Sequence, residues 1–268
     1  MLLFPTAAWY NIRCMETNNF TMENENIIEG KNAVIEAIRA GRTLDKIFLV
    51  RNSADRAHAF IASAAREKGV VVTECDRRKL DAMSVTHAHQ GVIAMAAARE
   101  YCEPEDILAL AAQRGEDPFV ILCDGIEDPR NLGAIIRCAE CAGAHGIILP
   151  RHHAVGLTAS ADKASAGALE HMLVSRVANL TACIKSLQEK GLWVYAAEAD
   201  GTGELWKTDL TGPICLVIGS EGNGVSRLVK ENCDFILSIP MKGQVNSLNA
   251  SAAAAVLCYE ILRQRTNG

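Results

Sequence analysis

The stretch FVILCDGIEDPRNLGAIIRCAECA, residues 119–142, sets the reading of the whole chain. Phe119 to Cys123 is an apolar run short enough to be a strand buried on both faces. A polar turn from Asp124 to Asn131 follows. Leu132, Ile135, Ile136 and Ala139 then recur at helical spacing, which predicts a helix over 132–142 with one apolar face and with Arg137 turned away from it. A buried strand feeding a helix through a short polar turn is the repeating unit of a parallel α/β sheet. The unit recurs downstream. Strands are expected at Gly146 to Leu149, Leu192 to Ala196, Ile214 to Ile218 and Phe235 to Ile239, with helices at Leu180 to Lys190 and Leu248 to Arg265. Such sheets bind ligands beyond the carboxyl ends of their strands.

Three turns in that position carry polar chemistry. In the first, Asn131 is placed to cap the helix, and Arg137, with its planar guanidinium, to fork a phosphate. A plain cap and a surface ion pair are the bland readings of the same residues. The second, Gly219-Ser220-Glu221-Gly222-Asn223-Gly224, lets a ligand approach backbone closely. It lacks the Gly-Lys-Ser/Thr of a phosphate-cradling loop and does not open its domain as a dinucleotide fingerprint would. The third runs from Ile239 through Pro240, Met241, Ser247, Leu248 and Asn249 to Ser251, ahead of the small-residue run Ala252 to Ala255. Its dense hydroxyls and amides can satisfy buried polar groups or simply cap a helix.

Upstream lies a smaller α/β module over 27–98. Its expected helices are Gly30 to Arg39, Ala54 to Lys68 and Arg77 to Ser84, and its expected strands are Lys46 to Val50, Val70 to Thr73 and Val92 to Ala96. Residues 99–117, acidic and bracketed by Pro104 and Pro118, read as a linker holding a short helix at Asp106 to Gln113. The first 26 residues read as a disordered extension, with Met22 opening more globular sequence. No stretch reaches the ~20 apolar residues of a membrane helix, and Met1 to Tyr10 lack a basic n-region.

The 268 residues carry a net charge of −5, which alone disfavours a nucleic-acid partner, but the charge is uneven. Residues 26–98 hold 11 Lys+Arg against 8 Asp+Glu, whereas 99–268 hold 15 against 21. A modestly basic front and an acidic back suit a division between holding RNA and doing chemistry. The ten cysteines are scattered through apolar runs and read as reduced, buried residues of a cytoplasmic protein. Cys138 and Cys141 have metal-pair spacing but stand alone, and His87, His89, His152 and His153 lack neighbouring carboxylates, so no metal is expected.

Taken in order, Asn131 and Arg137, then Ile-Gly-Ser-Glu-Gly-Asn-Gly from Ile218, then Ile-Pro-Met from Ile239 through Ser-Leu-Asn-Ala-Ser ending at Ser251, resemble the three motifs of the SpoU (TrmH-like) RNA 2′-O-ribose methyltransferases. Ile-Glu-Gly-Lys-Asn-Ala-Val from Ile28 and His-Gln-Gly-Val from His89 are similar to the ribosomal-protein-like RNA-binding module of the bacterial 23S rRNA guanosine branch. The resemblance spans about Ile27 to Arg265. It implies an α/β parallel-sheet methyltransferase domain over 118–268 with a C-terminal trefoil knot, a front RNA-binding domain over 27–98, S-adenosylmethionine as cofactor, a homodimer and an RNA substrate. It also implies that Gly219, Ile239 and Leu248 line the cofactor pocket, and that Asn131, Arg137, Glu221, Ser247 and Asn249 are catalytic or position substrate. The family scheme makes the arginine matching Arg137 a general base. A guanidinium, whose pKa exceeds ~12, is better suited to clamp phosphate and stabilise the developing alkoxide. Guanosine of 23S rRNA is the expected target. A tRNA ribose, a non-catalytic RNA-binding role and a nucleotide-dependent oxidoreductase are the alternatives, the last disfavoured by the missing fingerprint.

Overall fold

The structure, a computed structural model, describes residues 27–96 and 100–267. The expected extension over 1–26 and the front boundary at 97–99 lie outside the described residues. Contacts divide the chain into two compact units, and the segment Gly156–Lys163 groups with the front one.

The front unit contains β1 (Ile27–Glu29), α1 (Lys31–Arg39), β2 (Leu44–Val50), α2 (Arg56–Glu67), β3 (Val71–Cys75), α3 (Arg77–Met83) and β4 (Val92–Ala96). The strands form one sheet in the order β1-β4-β2-β3. β4 runs antiparallel to β1 and β2, and β3 runs parallel to β2. Because successive side chains alternate across a sheet, Ile47, Leu49, Val92 and Ala94 pack one face against Val34, Ile38 and Ile61 of α1 and α2. Phe48 and Ile93 meet Leu80 of α3 on the other. Asp55 and Asp76 cap α2 and α3, accepting from Ala57 N at 2.8 Å and Lys79 N at 2.9 Å.

The back unit follows with α4 (Pro104–Arg114), β5 (Phe119–Asp124), α5 (Pro129–Cys141), β6 (Gly146–Pro150), α6 (Ala159–Ser165, at the changeover between units), β7 (Leu173–Val177), α7 (Leu180–Glu189), β8 (Trp193–Ala197), β9 (Gly203–Glu204), β10 (Ile214–Gly219), α8 (Arg227–Glu231), β11 (Phe235–Ser238) and α9 (Ala250–Asn267). Seven strands pair in the order β7-β6-β5-β10-β8-β11-β9, all parallel. Val120, Leu122, Val194, Cys215 and Val217 join Ile107, Ile184, Leu187 and Val229 in one core. The intervening Phe119, Ile121, Ile214 and Leu216 are equally buried on the opposite face, where α9 packs against α5 and β10. Among the described residues no helix is long and apolar enough to cross a membrane.

Four expectations are corrected. The segment from residue 100 is built into the back unit and is not a linker: Cys102 N donates to Val174 O at 3.0 Å, and Ile107 is buried in the core. A Cβ on Gly146 would stand 2.6 Å from Ile107 Cδ1, so the helix closes onto the strand only because residue 146 is glycine. Asn131 does not cap α5; Asp128 does, accepting from Arg130 N at 2.8 Å, with Pro129 at the first helical position. The cysteines are not uniformly buried: among the described residues Cys75, Cys123, Cys183, Cys215 and Cys258 are, but Cys102, Cys138 and Cys233 are half-buried and Cys141 is exposed. The strands β1, β7 and β9 and helix α6 are additional to the expected set.

Candidate active site

β5 and β10 are neighbours at the centre of the back sheet, with Asp124 level with Gly219 at their carboxyl ends. β6 and β7 extend the sheet to one side of this pair, and β8, β11 and β9 to the other. The loops after β5, β10 and β11 therefore emerge around one switch point, the place where an open parallel sheet leaves a crevice.

The middle loop is tightly shaped. Ser220 and Gly224 exchange backbone hydrogen bonds of 3.0 and 2.9 Å, Gly224 adopts φ +63°, and Glu198 Oε1, from the turn after β8, accepts from Val225 N. Asp124 Oδ2 accepts from Ser226 N at 2.7 Å, tying this loop to the end of β5. Gly219 is required for a different reason from Gly224: a Cβ there would fall 2.1 Å from the carbonyl carbon of Gly224. The turn can fold back over the strand end only across a bare backbone.

A cleft opens on each side of this loop. One, of about 490 Å³, is floored by Ile218, Leu237, Ile239, Leu248 and Ala253 and edged by Glu198, Asp200, Gly219 and Ser247. Gly219, Ile239 and Leu248, grouped by their motifs, thus share one cleft with Ser247. The other, of about 820 Å³, is bounded by Asp124 to Asp128, Asn131, His152, His153, Asn179 and the Ser220 to Gly224 loop. Its rim is rich in carboxylate and amide groups.

Glu221 borders both clefts. Its Oε1 accepts from Asn131 Nδ2 at 2.9 Å and also from Asn249 Nδ2, which in turn lies 3.1 Å from Asn131 Oδ1. Asn249 works in two directions, since its Oδ1 also caps α9 by accepting from Ser251 N at 2.9 Å and Ala252 N at 3.2 Å. Three side chains, one from the first turn of α5 and two from the loops after β10 and β11, so form one amide–carboxylate cluster. Arg137 is not part of it. It is exposed on α5 and lines neither cleft. Glu198, absent from the motif reading, braces the middle loop from below. Its only sequence signal is its place just past the strand Trp193–Ala197. Cys123, immediately before Asp124, is fully buried, and burial pushes its thiol up to about 12, so it stays protonated and is no nucleophile.

The SpoU rRNA Methylase family model matches residues 118–259, and the model for RNA 2′-O ribose methyltransferase substrate binding matches residues 27–102. The chain belongs to the SpoU family. YacO of Bacillus subtilis (strain 168), named as a TrmH family tRNA/rRNA methyltransferase, is 44% identical over 243 residues, covering 91% of this chain and 97% of its own. The SpoU methyltransferase AviRb from Streptomyces viridochromogenes has a similar crystal structure, with a TM-score of 0.77, 25% identity and coverage of 94% of this chain and 93% of that one. AviRb has also been crystallised with AdoMet; that structure superposes with a TM-score of 0.75, 24% identity and coverage of 90% and 91%. This SpoU protein is an S-adenosylmethionine-dependent RNA methyltransferase. The smaller cleft fits such a cofactor: it has an apolar floor for a heteroaromatic ring, the bare backbone of the Gly219 to Gly224 loop along one wall, and carboxylates at its edge for hydroxyl and ammonium groups.

Proposed function

We propose that the enzyme methylates the ribose 2′-hydroxyl of a guanosine in 23S rRNA, as a cytoplasmic homodimer with a trefoil knot in its back unit. The observation that supports the reading is the Asn131–Glu221–Asn249 cluster on the ridge shared by the two clefts. In this reading Gly219, Ile239 and Leu248 hold S-adenosylmethionine in the smaller cleft, and the larger cleft takes the target nucleotide. The cofactor supplies an electrophilic methyl group carried on a sulfonium.

The protein's own groups orient the acceptor. Glu221, with Oε1 committed to two amides, keeps Oε2 for the ribose, and the paired amides hold that carboxylate in one rotamer, which is the positioning a displacement at a methyl carbon requires. Ser247, on the cofactor side, is placed to hydrogen-bond either partner. Arg137 clamps a phosphate of the RNA, and the 2′-hydroxyl proton leaves through an adjacent phosphate oxygen or water. The outward stripe of α9, with Tyr259 half exposed beside Val256, supports a second copy packing there.

The name shared by the relatives covers tRNA as well as rRNA, so the test carries both. Purified protein, tritiated S-adenosylmethionine and either bulk 23S rRNA or bulk tRNA should label the 23S rRNA, with the label recovered as 2′-O-methylguanosine. Label confined to tRNA, or recovered on a base, overturns the proposal.

A further inference from the structure

Glu29, the last residue of β1, is fully buried, yet a carboxylate there serves no packing purpose. Its Oε2 accepts from Ser84 Oγ at 2.7 Å and from Thr86 Oγ1, and its Oε1 accepts from Val85 N and from Thr86 N at 3.2 Å. Burial alone would raise this carboxyl, but the donors of Thr86, Ser84 and the two backbone N–H groups outweigh it and hold the group below its ordinary value. An ion so thoroughly satisfied is commonly replaceable by apolar packing without loss of stability, so its use here calls for another reason.

The reason lies in what it grips. His87 and Gln90 both have φ +53° and Gly91 has φ +84°, so two residues with side chains sit in the left-handed region within one short segment. Such strain persists only where the surroundings over-determine it, and it gathers at functional sites. The surroundings here do so. Gln90 O meets His58 Nε2 at 3.0 Å, Gln90 Oε1 accepts from Lys31 N at 3.1 Å, and His89 lies 3.0 Å from Gly91 N and 2.9 Å from Asp81. Lys163 Nζ, from the segment grouped with this unit, donates to Thr86 Oγ1 at 3.1 Å and Ala88 O at 2.6 Å. What the fixed segment shows to solvent is Val85, His87, Ala88 and Gln90. The Gln90 amide N–H groups face no described acceptor, while Lys31, whose backbone N meets Gln90 Oε1, holds its ammonium on Asp55 at 2.7 Å. A rigid tip offering an imidazole face and an amide donor fits an unstacked base, the ring by stacking and the base edge by hydrogen bonding.

We propose that residues 85–90 are a pre-formed RNA-contact tip, with His87 and Gln90 touching the RNA and Glu29 acting as the positioning residue that holds the tip through Ser84 and Thr86. The proposal rests on the rRNA reading above. It is tested with full-length wild type, Glu29→Gln, Thr86→Val and the double variant His87→Ala/Gln90→Ala, by filter binding to 23S rRNA and by steady-state transfer. Each variant should raise Kd and KM for RNA by roughly tenfold, the factor for one charge-assisted hydrogen bond, with kcat at saturating RNA and the Kd for S-adenosylmethionine unchanged. A loss confined to kcat, or RNA binding unchanged in the double variant, overturns it. If Glu29→Gln fails to fold, Thr86→Val and the surface double variant decide. Absent methyl transfer with intact, tip-dependent RNA binding would instead sink the methylation reading and leave this one standing.

Discussion

Arg137 separates two chemistries that share one residue. Arg137→Ala should remove most methyl transfer while leaving cofactor affinity intact, because the cofactor cleft is lined by other residues. Arg137→Lys keeps the charge and loses the fork, so a clamp retains activity lowered about ten- to a hundredfold, with a flat profile against pH. A general base replaced by lysine would show rates rising steeply between pH ~8 and ~10. Single-turnover transfer across that range reads the difference. A second residue-scale expectation concerns His145, whose Nδ1 accepts from Phe119 N at 3.0 Å and whose Nε2 lies 3.0 Å from Glu116 Oε2. Burial pushes this imidazole down, against the opposing pull of Glu116. The folded chain therefore resists a proton that the unfolded chain accepts. Its contribution is full above the ordinary value of 6.5 and is lost as pH falls through the lowered folded value. Denaturant midpoints should drop between pH 7.5 and pH 5.5 in wild type and drop less in His145→Asn. Equal drops would show that His145 does not carry the effect.

Among elements, α4 is the sharpest case. If Pro104–Arg114 were tethering chain, Ile107→Ala would change stability by about 0.5 kcal/mol or less; buried as it is against Gly146 and the sheet core, the substitution should cost about 2–5 kcal/mol. Urea unfolding of the back unit measures it. The strong apolar periods, such as Leu132, Ile135, Ile136 and Ala139, announced their elements because burial and spacing agree there. The α4 helix itself was expected at Asp106 to Gln113; its place in the back core escaped, because its short acidic start, Glu103 to Asp106, is a capping box that composition alone reads as a charged connector. β1 escaped because it is three residues long, and β7 because Leu173–Val177 mixes Ser175 and Arg176 into its run. At the site, the residue types in the three loops were legible, as was their placement at strand ends. That Glu221 Oε1 would gather two amides from segments far apart in sequence was not, since it depends on the β5–β10 pairing. Glu29 was invisible for the same reason, since a carboxylate after two isoleucines gives no hint of the donors brought to it from 84–86.

For the molecule as a whole, light scattering at micromolar concentration should give twice 28.9 kDa. Tyr259→Arg, on the outward stripe of α9, should shift the mass toward the monomer, because a charge placed in an apolar contact is costly to bury. A monomer mass for wild type would remove the homodimer from the proposal. The order of strands in the back sheet carries a last consequence. Every pairing is parallel, so no hairpin is available to start it, and Phe119 waits for Ile214 as its neighbour. On a ribosome, β5 and β8 must therefore be held apart, apolar on both faces, until the strand that separates them has been synthesised. Assembly of this sheet is slow and late by construction, and the nascent chain spends that interval as a natural client for chaperones.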